Sequence, residues 1–90
     1  MKVIYWNSEK NHLLKQKRQI SFEDIYVAIT EDRILADEKH PNSEKYDHQR
    51  LLIVEINQYA YIVPYVEDEK GIFLKTIYPS RIYTKKYLNL

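Results

Sequence analysis

The chain has 90 residues, with 14 lysines and arginines against 13 aspartates and glutamates, no cysteine and one glycine. A chain of this length can bury one modest core, so we expect a single domain over residues 1–90 and exclude a large multidomain enzyme. The lack of cysteine excludes disulfides, thiolate metal sites and a cysteine nucleophile. With no signal-peptide pattern and no long apolar run, the sequence predicts a cytoplasmic protein without membrane contact.

Charge is distributed unevenly along the chain. Residues 1–22 carry five basic and one acidic side chain, residues 23–69 carry four basic and twelve acidic ones, and residues 70–90 carry five basic and no acidic ones. If the two ends meet in the fold, they form a positive surface that attracts phosphate backbones. If the blocks interleave in space, their charges cancel. Block charge alone does not separate these two arrangements.

Hydrophobic spacing and capping signals predict the elements of secondary structure. Ser8 is the expected N-cap of a first helix, and Ser21 with Asp24 forms a capping box at the start of a second. Pro64 places its strand at a sheet edge or at a bulge, and Gly71 supplies the positive φ of a turn. The expected elements are a strand over 3–6, helices over 9–17 and 22–31, strands over 33–37, 51–56, 59–67 and 72–78, and a helix over 81–88 capped by Ser80.

These elements predict an α+β fold, a small and mostly antiparallel sheet with two N-terminal helices and a short C-terminal helix. A polar loop over 38–49 separates the first half from three closely spaced strands. The strand over 51–56 is apolar on both faces except at Glu55 and is therefore expected to be central or well covered. Residues 57–58 are the expected hairpin connection.

Short motifs in this order carry a family resemblance: Trp6-Asn7, Lys10-Asn11, Lys17, Phe22, an arginine before the sheet, and Ser80-Arg81 after the last strand. With this length and element order, the chain resembles the BrnT toxins. The resemblance implies a RelE-like fold and a ribonuclease from a bacterial type II toxin–antitoxin pair, inhibited by an antitoxin that also binds DNA.

The sequence departs from this family at positions that bear on chemistry. Lys17-Arg18-Gln19 stands where family members commonly carry Lys-His-Gly, so a candidate proton shuttle is replaced by an arginine. Before Ser80-Arg81 the family usually has a further arginine, and here only Lys75 is available, one position displaced. Arg50 stands where the family has an arginine entering its central strand. The overall charge is also less basic than is usual in RelE-like nucleases.

Cleavage of RNA without a metal uses the substrate's 2′-OH as nucleophile, so the protein has to stabilise the phosphorane and transfer protons. Arg81 suits the phosphorane because its guanidinium is a planar fork of donors that stays charged, and Lys75 is expected to assist. Lys17 and Arg18 are candidates for binding RNA phosphates, or form an ordinary cationic helix end. Arg50 either reaches the same site or pairs with an acid. The acids considered for it are Glu44, Asp47 and Glu55.

The nine tyrosines are the main compositional oddity. Tyr65, Tyr78 and Tyr83 are candidates for substrate binding and for acid–base work. The strand over 59–67 places a tyrosine stripe on one face, which fits core packing or a partner surface better than base stacking. The histidines form no metal-binding pattern, so no metal and no other cofactor is expected. They are His12, His40 and His48.

The leading prediction is a metal-independent endoribonuclease toxin that inhibits translation. Its expected partners are an RNA substrate and a cognate DNA-binding antitoxin, with the ribosome as a further candidate. The first alternative is a catalytically inactive toxin relative that acts as a protein-binding module. The second is a small RNA-binding domain that does not cleave, for which salt-dependent binding without change in the RNA would be diagnostic.

Overall fold

The computed structural model describes residues 3–42, 44–46 and 48–89, which form three helices and one six-stranded mixed sheet that is mostly antiparallel. The elements are β1 (Val3–Trp6), α1 (Ser8–Arg18), α2 (Phe22–Thr30), β2 (Ile34–Lys39), β3 (Gln49–Ile56), β4 (Tyr59–Glu67), β5 (Gly71–Leu74), β6 (Tyr78–Pro79) and α3 (Arg81–Leu88). The strand order is β1-β5-β4-β3-β2, β6 pairs with β4, and only β1 and β5 among these described strands run parallel. The predicted α+β class is confirmed.

Each face of the sheet buries its own apolar cluster. On one face, α1 and α2 cover a cluster centred on Phe22, Ile25 and Val63. On the other face, a smaller cluster that includes Leu51 and Ile62 has residues of α3 packed against it. Because β3 contributes to both clusters, the prediction of a central strand is confirmed. None of the helices in the described ranges is long and apolar enough to cross a membrane.

The cap of α1 differs from the prediction. The side chain of Asn7 accepts a hydrogen bond from the backbone N–H of Lys10 at 2.9 Å, so Asn7 is the N-cap and Ser8 is the first helical residue. The shift of one position arises because both residues are good caps and only the backbone geometry selects between them. The helix ends at Gln19, which has a left-handed φ of 55°.

The junction between α1 and α2 is fixed by polar contacts. The predicted capping box is confirmed, since the Ser21 hydroxyl accepts from the Asp24 N–H at 3.1 Å and the Asp24 carboxylate accepts from the Ser21 N–H at 2.9 Å. The buried side chain of Asn11 donates to Glu23 at 2.8 Å and accepts from the Phe22 N–H at 2.7 Å. These bonds satisfy free N–H groups at the start of α2 and connect α1 to α2.

Pro64 was predicted at a sheet edge or at a bulge, and the structure places it in the central strand β4, beside an irregularity of the neighbouring strand, so the edge position is excluded. Its carbonyl accepts from the Lys75 N–H at 2.8 Å, on the side of β4 where the neighbouring strand is interrupted between β5 and β6. A proline has no N–H to donate, and here none is needed because no strand residue faces it on that side. The predicted single strand over 72–78 is therefore two short strands.

Two turns behave as the sequence predicts. Asn57 and Gln58 connect β3 to β4 with φ values of 53° and 64°, the signs that a tight hairpin requires. Gly71 has a φ of 153° at the end of the turn before β5. The expected polar loop is shorter than predicted, because β2 continues past Asp37 to Lys39 and carries Glu38 into the sheet.

Candidate functional site

The two basic ends of the chain meet in the fold. The guanidinium of Arg18, in the last turn of α1, donates a hydrogen bond to the backbone carbonyl of Ile77. This contact places the end of α1 against the segment that joins β5 to α3, and Lys75 and Arg81 lie within four residues of Ile77 along the chain. We call Lys17, Arg18, Lys75 and Arg81 the basic junction.

The cations of the basic junction are exposed and form no ion pair with any residue that the structure describes. Among the described residues, four lysines and arginines form ion pairs with acids, for example Lys15 with Glu23 at 3.6 Å, whereas the cations of the basic junction, like several other exposed lysines, form none. The two charge arrangements considered from sequence therefore coexist, since the ends meet while some of the acidic middle neutralises cations elsewhere. Unpaired cations grouped on one surface create a positive potential that attracts anions.

Arg81 begins a firmly anchored helix. Ser80 caps α3 by accepting from the Tyr83 N–H at 3.1 Å, as predicted, and its own N–H donates to Ala60 in β4 at 3.0 Å. The buried hydroxyl of Thr84 accepts from the Ala60 N–H at 2.9 Å and donates to the Ser80 carbonyl at 2.6 Å. These bonds fix the backbone of Arg81 on the sheet and leave its side chain in solvent.

Arg50 belongs to a different group of residues. Its Nε donates to Asp37 Oδ1 at 2.9 Å and its Nη2 donates to the Asp37 carbonyl at 3.0 Å. Asp37 is thus the acid that pairs with Arg50, instead of Glu44 or Glu55, and Asp47 lies outside the described residues. The contacts with Asp37 raise the pKa of Arg50 further above its usual range.

Tyr65 joins this group through its hydroxyl, which donates to Asp37 Oδ2 at 2.7 Å. Burial first, and the Asp37 carboxylate second, raise the pKa of Tyr65 to about 12, so the phenol keeps its proton at neutral pH. Its ring belongs to the core, which confirms the packing prediction for this face of β4. A mostly apolar cavity of about 190 Å³ lies beside it, lined by Ile4, Ile29, Ile34, Asp37, Leu52, Tyr65, Ile72 and Leu74.

A third polar group lies on the opposite face of the sheet, between α3 and β2. Glu38 accepts hydrogen bonds from the hydroxyls of Tyr83, at 3.1 Å, and Tyr87, and its carboxylate lies 3.5 Å from the Lys86 ammonium. The Tyr87 hydrogen bond is the main cause that lowers the pKa of Glu38. The rings of Tyr83 and Tyr87 are stacked with centroids 5.8 Å apart.

The structure therefore places the predicted site residues in three locations. Lys17 and Arg18 lie at the end of α1, which contacts the segment that carries Lys75 and leads to Arg81, whereas Arg50 and Tyr65 lie with Asp37, and Tyr83 lies with Glu38. Tyr78 follows Ile77 directly and packs half-buried against the second cluster, and burial raises its pKa. The sequence analysis missed Asp37 and Glu38, because the pairing register that brings them to their partners is not visible in one sequence.

His12 and His40 take no part in these groups. His12 is exposed on α1, and the ring of His40 packs against Tyr46 with centroids 4.4 Å apart. Within residues 3–42, 44–46 and 48–89, no three histidine or carboxylate side chains are grouped closely enough to hold a metal ion.

Comparison with known proteins gives no relative for this chain: no family model, no curated protein and no solved structure matches it.

Proposed function

We propose that this protein is a metal-independent endoribonuclease of RelE-like fold, a toxin of a type II toxin–antitoxin pair that acts in the cytoplasm and inhibits translation. The observation that carries the proposal is the basic junction, where both ends of the chain supply exposed cations that pair with no acid among residues 3–42, 44–46 and 48–89. An RNA backbone is a polyanion whose affinity for proteins comes largely from such cations. The motifs Trp6-Asn7 and Ser80-Arg81 support the same proposal, because they are part of the resemblance to the BrnT toxins.

Arg81 has the central role in the proposed reaction. Attack of the RNA 2′-oxygen on the neighbouring phosphorus builds negative charge on the non-bridging oxygens, and a guanidinium donates two parallel hydrogen bonds to such a group. The anchored first turn of α3 lowers the conformational entropy lost in holding this geometry. Lys75 adds positive charge, and Lys17 and Arg18 bind phosphates beside the scissile bond.

Tyr78 is the phenol best suited to protonate the departing 5′-oxygen. The hydroxyls of Tyr65 and Tyr83 donate hydrogen bonds to carboxylates, whereas the Tyr78 hydroxyl donates to no described residue. Burial raises the pKa of Tyr78, so the phenol holds its proton at neutral pH and acts as an acid. It follows Ile77, the residue that Arg18 contacts, and this places it beside the basic junction in sequence.

Ile82 is 78% exposed and directly follows Arg81. We assign this surface to the antitoxin, because arginine is enriched at protein interfaces and Ile82 adds apolar surface beside Arg81. The same observation favours the second candidate function, a catalytically inactive relative that only binds protein.

Growth and RNA integrity after controlled induction in a bacterial host test the proposal. We expect the wild type to arrest growth and to leave RNA fragments that end in 2′,3′-cyclic phosphate. Arg81→Ala lowers cleavage by about 10²-fold or more, and Arg81→Lys restores only part of it because an ammonium lacks the planar fork. Lys85→Ala, an exposed cation of the same helix, is the matched control and retains toxicity.

One result would contradict the nuclease, and another would contradict the role of Arg81. Intact RNA with a folded wild-type protein would favour the protein-binding module, and pull-down with and without Ile82→Ser would then test that function. Equal toxicity of Arg81→Ala and wild type, at matched protein levels, would remove Arg81 from the site. Circular dichroism of each variant separates loss of chemistry from loss of fold.

A further inference from the structure

Three cations share one concavity on α1. Lys10, Lys17 and Arg18 surround about 140 Å³ of open space together with Leu13 and Leu14, and we call this concavity the α1 groove. No carboxylate lies among the described residues that line it. Lys10 and Lys17 are seven residues apart, so their Cα atoms are separated by about 10 Å along the helix axis.

The α1 groove is continuous with the basic junction, because Arg18 lines the groove and also donates to the Ile77 carbonyl. The cations thus extend from Lys10 along α1 to the segment that carries Lys75 and Arg81. Like charges around one concavity repel each other, and a bound polyanion relieves this repulsion. Leu13 is 45% exposed and adds apolar surface against which a ribose or a base can pack.

We propose that the α1 groove binds the backbone of single-stranded RNA, one or more phosphates away from the scissile bond, with Lys10 as the contact farthest from Arg81. Lys10 is the residue that this inference adds to the site. The choice of RNA as the polyanion rests on the proposed function. The other side of α1 is not part of this surface, because Lys15 there is already paired with Glu23.

Fluorescence anisotropy with a labelled single-stranded oligoribonucleotide tests the groove. The probe carries 2′-O-methyl groups, which remove the nucleophile and prevent cleavage, and binding is measured between about 50 and 200 mM salt. We expect Lys10→Ala to weaken binding by up to about fivefold at the lowest salt. It also reduces the slope of log Kd against log salt by about 0.7, the value for one lost phosphate contact on a single strand. Lys15→Ala is the matched control and leaves the slope unchanged.

The outcomes separate this inference from the proposed nuclease. Equal slopes for Lys10→Ala and Lys15→Ala would overturn the groove even if the wild type cleaves RNA. A slope that depends on Lys10, in a protein that leaves RNA intact, would support the groove and overturn the nuclease. Binding of poly-glutamate as tight as that of the oligonucleotide, and equally dependent on Lys10, would show an acidic protein partner and overturn the assignment to RNA.

Discussion

The guanidinium of Arg50 is held by Asp37 through two hydrogen bonds, one to the carboxylate and one to the backbone carbonyl. The bonds link β2 to β3 at the end of the sheet where the two strands leave the polar loop. Because both side chains are about half exposed, water and salt weaken the ion pair.

A double-mutant cycle measures this pair. We expect Arg50→Ala and Asp37→Ala to be coupled by about 0.5–1 kcal/mol in urea unfolding, less at high salt. The same variants check the predicted RNA contact of Arg50. If Arg50 binds RNA, Arg50→Ala weakens binding whereas Asp37→Ala, which removes the carboxylate partner of the guanidinium, does not. A coupling of zero would show that the ion pair contributes nothing to stability.

The N-cap of α1 gives a second prediction. Asn7→Ala removes the acceptor for the Lys10 N–H and is expected to cost about 1 kcal/mol of unfolding free energy. Ser8→Ala lies one residue further into the helix and is expected to be neutral or stabilising by a few tenths of a kcal/mol. Chemical denaturation of both variants compares them directly, and a larger loss for Ser8→Ala would contradict the assignment of Asn7 as the cap.

Gln19 ends α1 in the left-handed region, with a φ of 55°, at the position where the BrnT-like motif carries glycine. A side chain there is strained, and glycine is not. Gln19→Gly is therefore expected to raise the unfolding free energy by about 0.5–1 kcal/mol. Gln16→Gly, in the exposed interior of the same helix, is the control and should lose about 1 kcal/mol. Destabilisation by both substitutions would contradict the strain at Gln19.

These cases show what one sequence determines. The capping box of α2 and the cap of α3 were predictable because they depend on residues a few positions apart. The place of Pro64 was not, because it depends on where the neighbouring strand breaks. Pairing register likewise decides that Arg50 meets Asp37 and that Glu38 meets two tyrosines of α3. The sequence identified the cations of the basic junction, and the structure adds the contact of Arg18 with Ile77, which joins the end of α1 to the segment between β5 and α3.

The contacts of Glu38 predict a dependence of stability on acid pH. Hydrogen bonds from Tyr87 and Tyr83 lower the pKa of Glu38 from its usual 4.5, so its contribution is present above about pH 4.5 and is lost as the pH falls through the lowered value. Glu38→Gln is expected to cost about 1–2 kcal/mol at neutral pH and to flatten the pH dependence. Glu69→Gln, in an exposed turn, is the control. Equal stability of Glu38→Gln and wild type at neutral pH would contradict the prediction.

Gly71 is the position where adding a single methyl group is expected to destabilise the protein most. A Cβ there would lie 2.0 Å from the backbone oxygen of Val3, and the residue's φ of 153° is rarely adopted by other residues. Gly71 pairs with Val3 in the parallel contact of β1 with β5. The clash therefore involves backbone atoms of a paired strand, and a change of side-chain rotamer cannot relieve it. Gly71→Ala is expected to lose about 3 kcal/mol or more, with faster hydrogen exchange concentrated in β1. Lys70→Ala, one residue earlier in the same turn, is the control and should stay within about 0.5 kcal/mol of wild type. A Gly71→Ala protein as stable as this control would show that β1 can shift without loss of stability. The pairing of Trp6 with Leu74 and the stacking of Trp6 on Phe22 argue against such a shift.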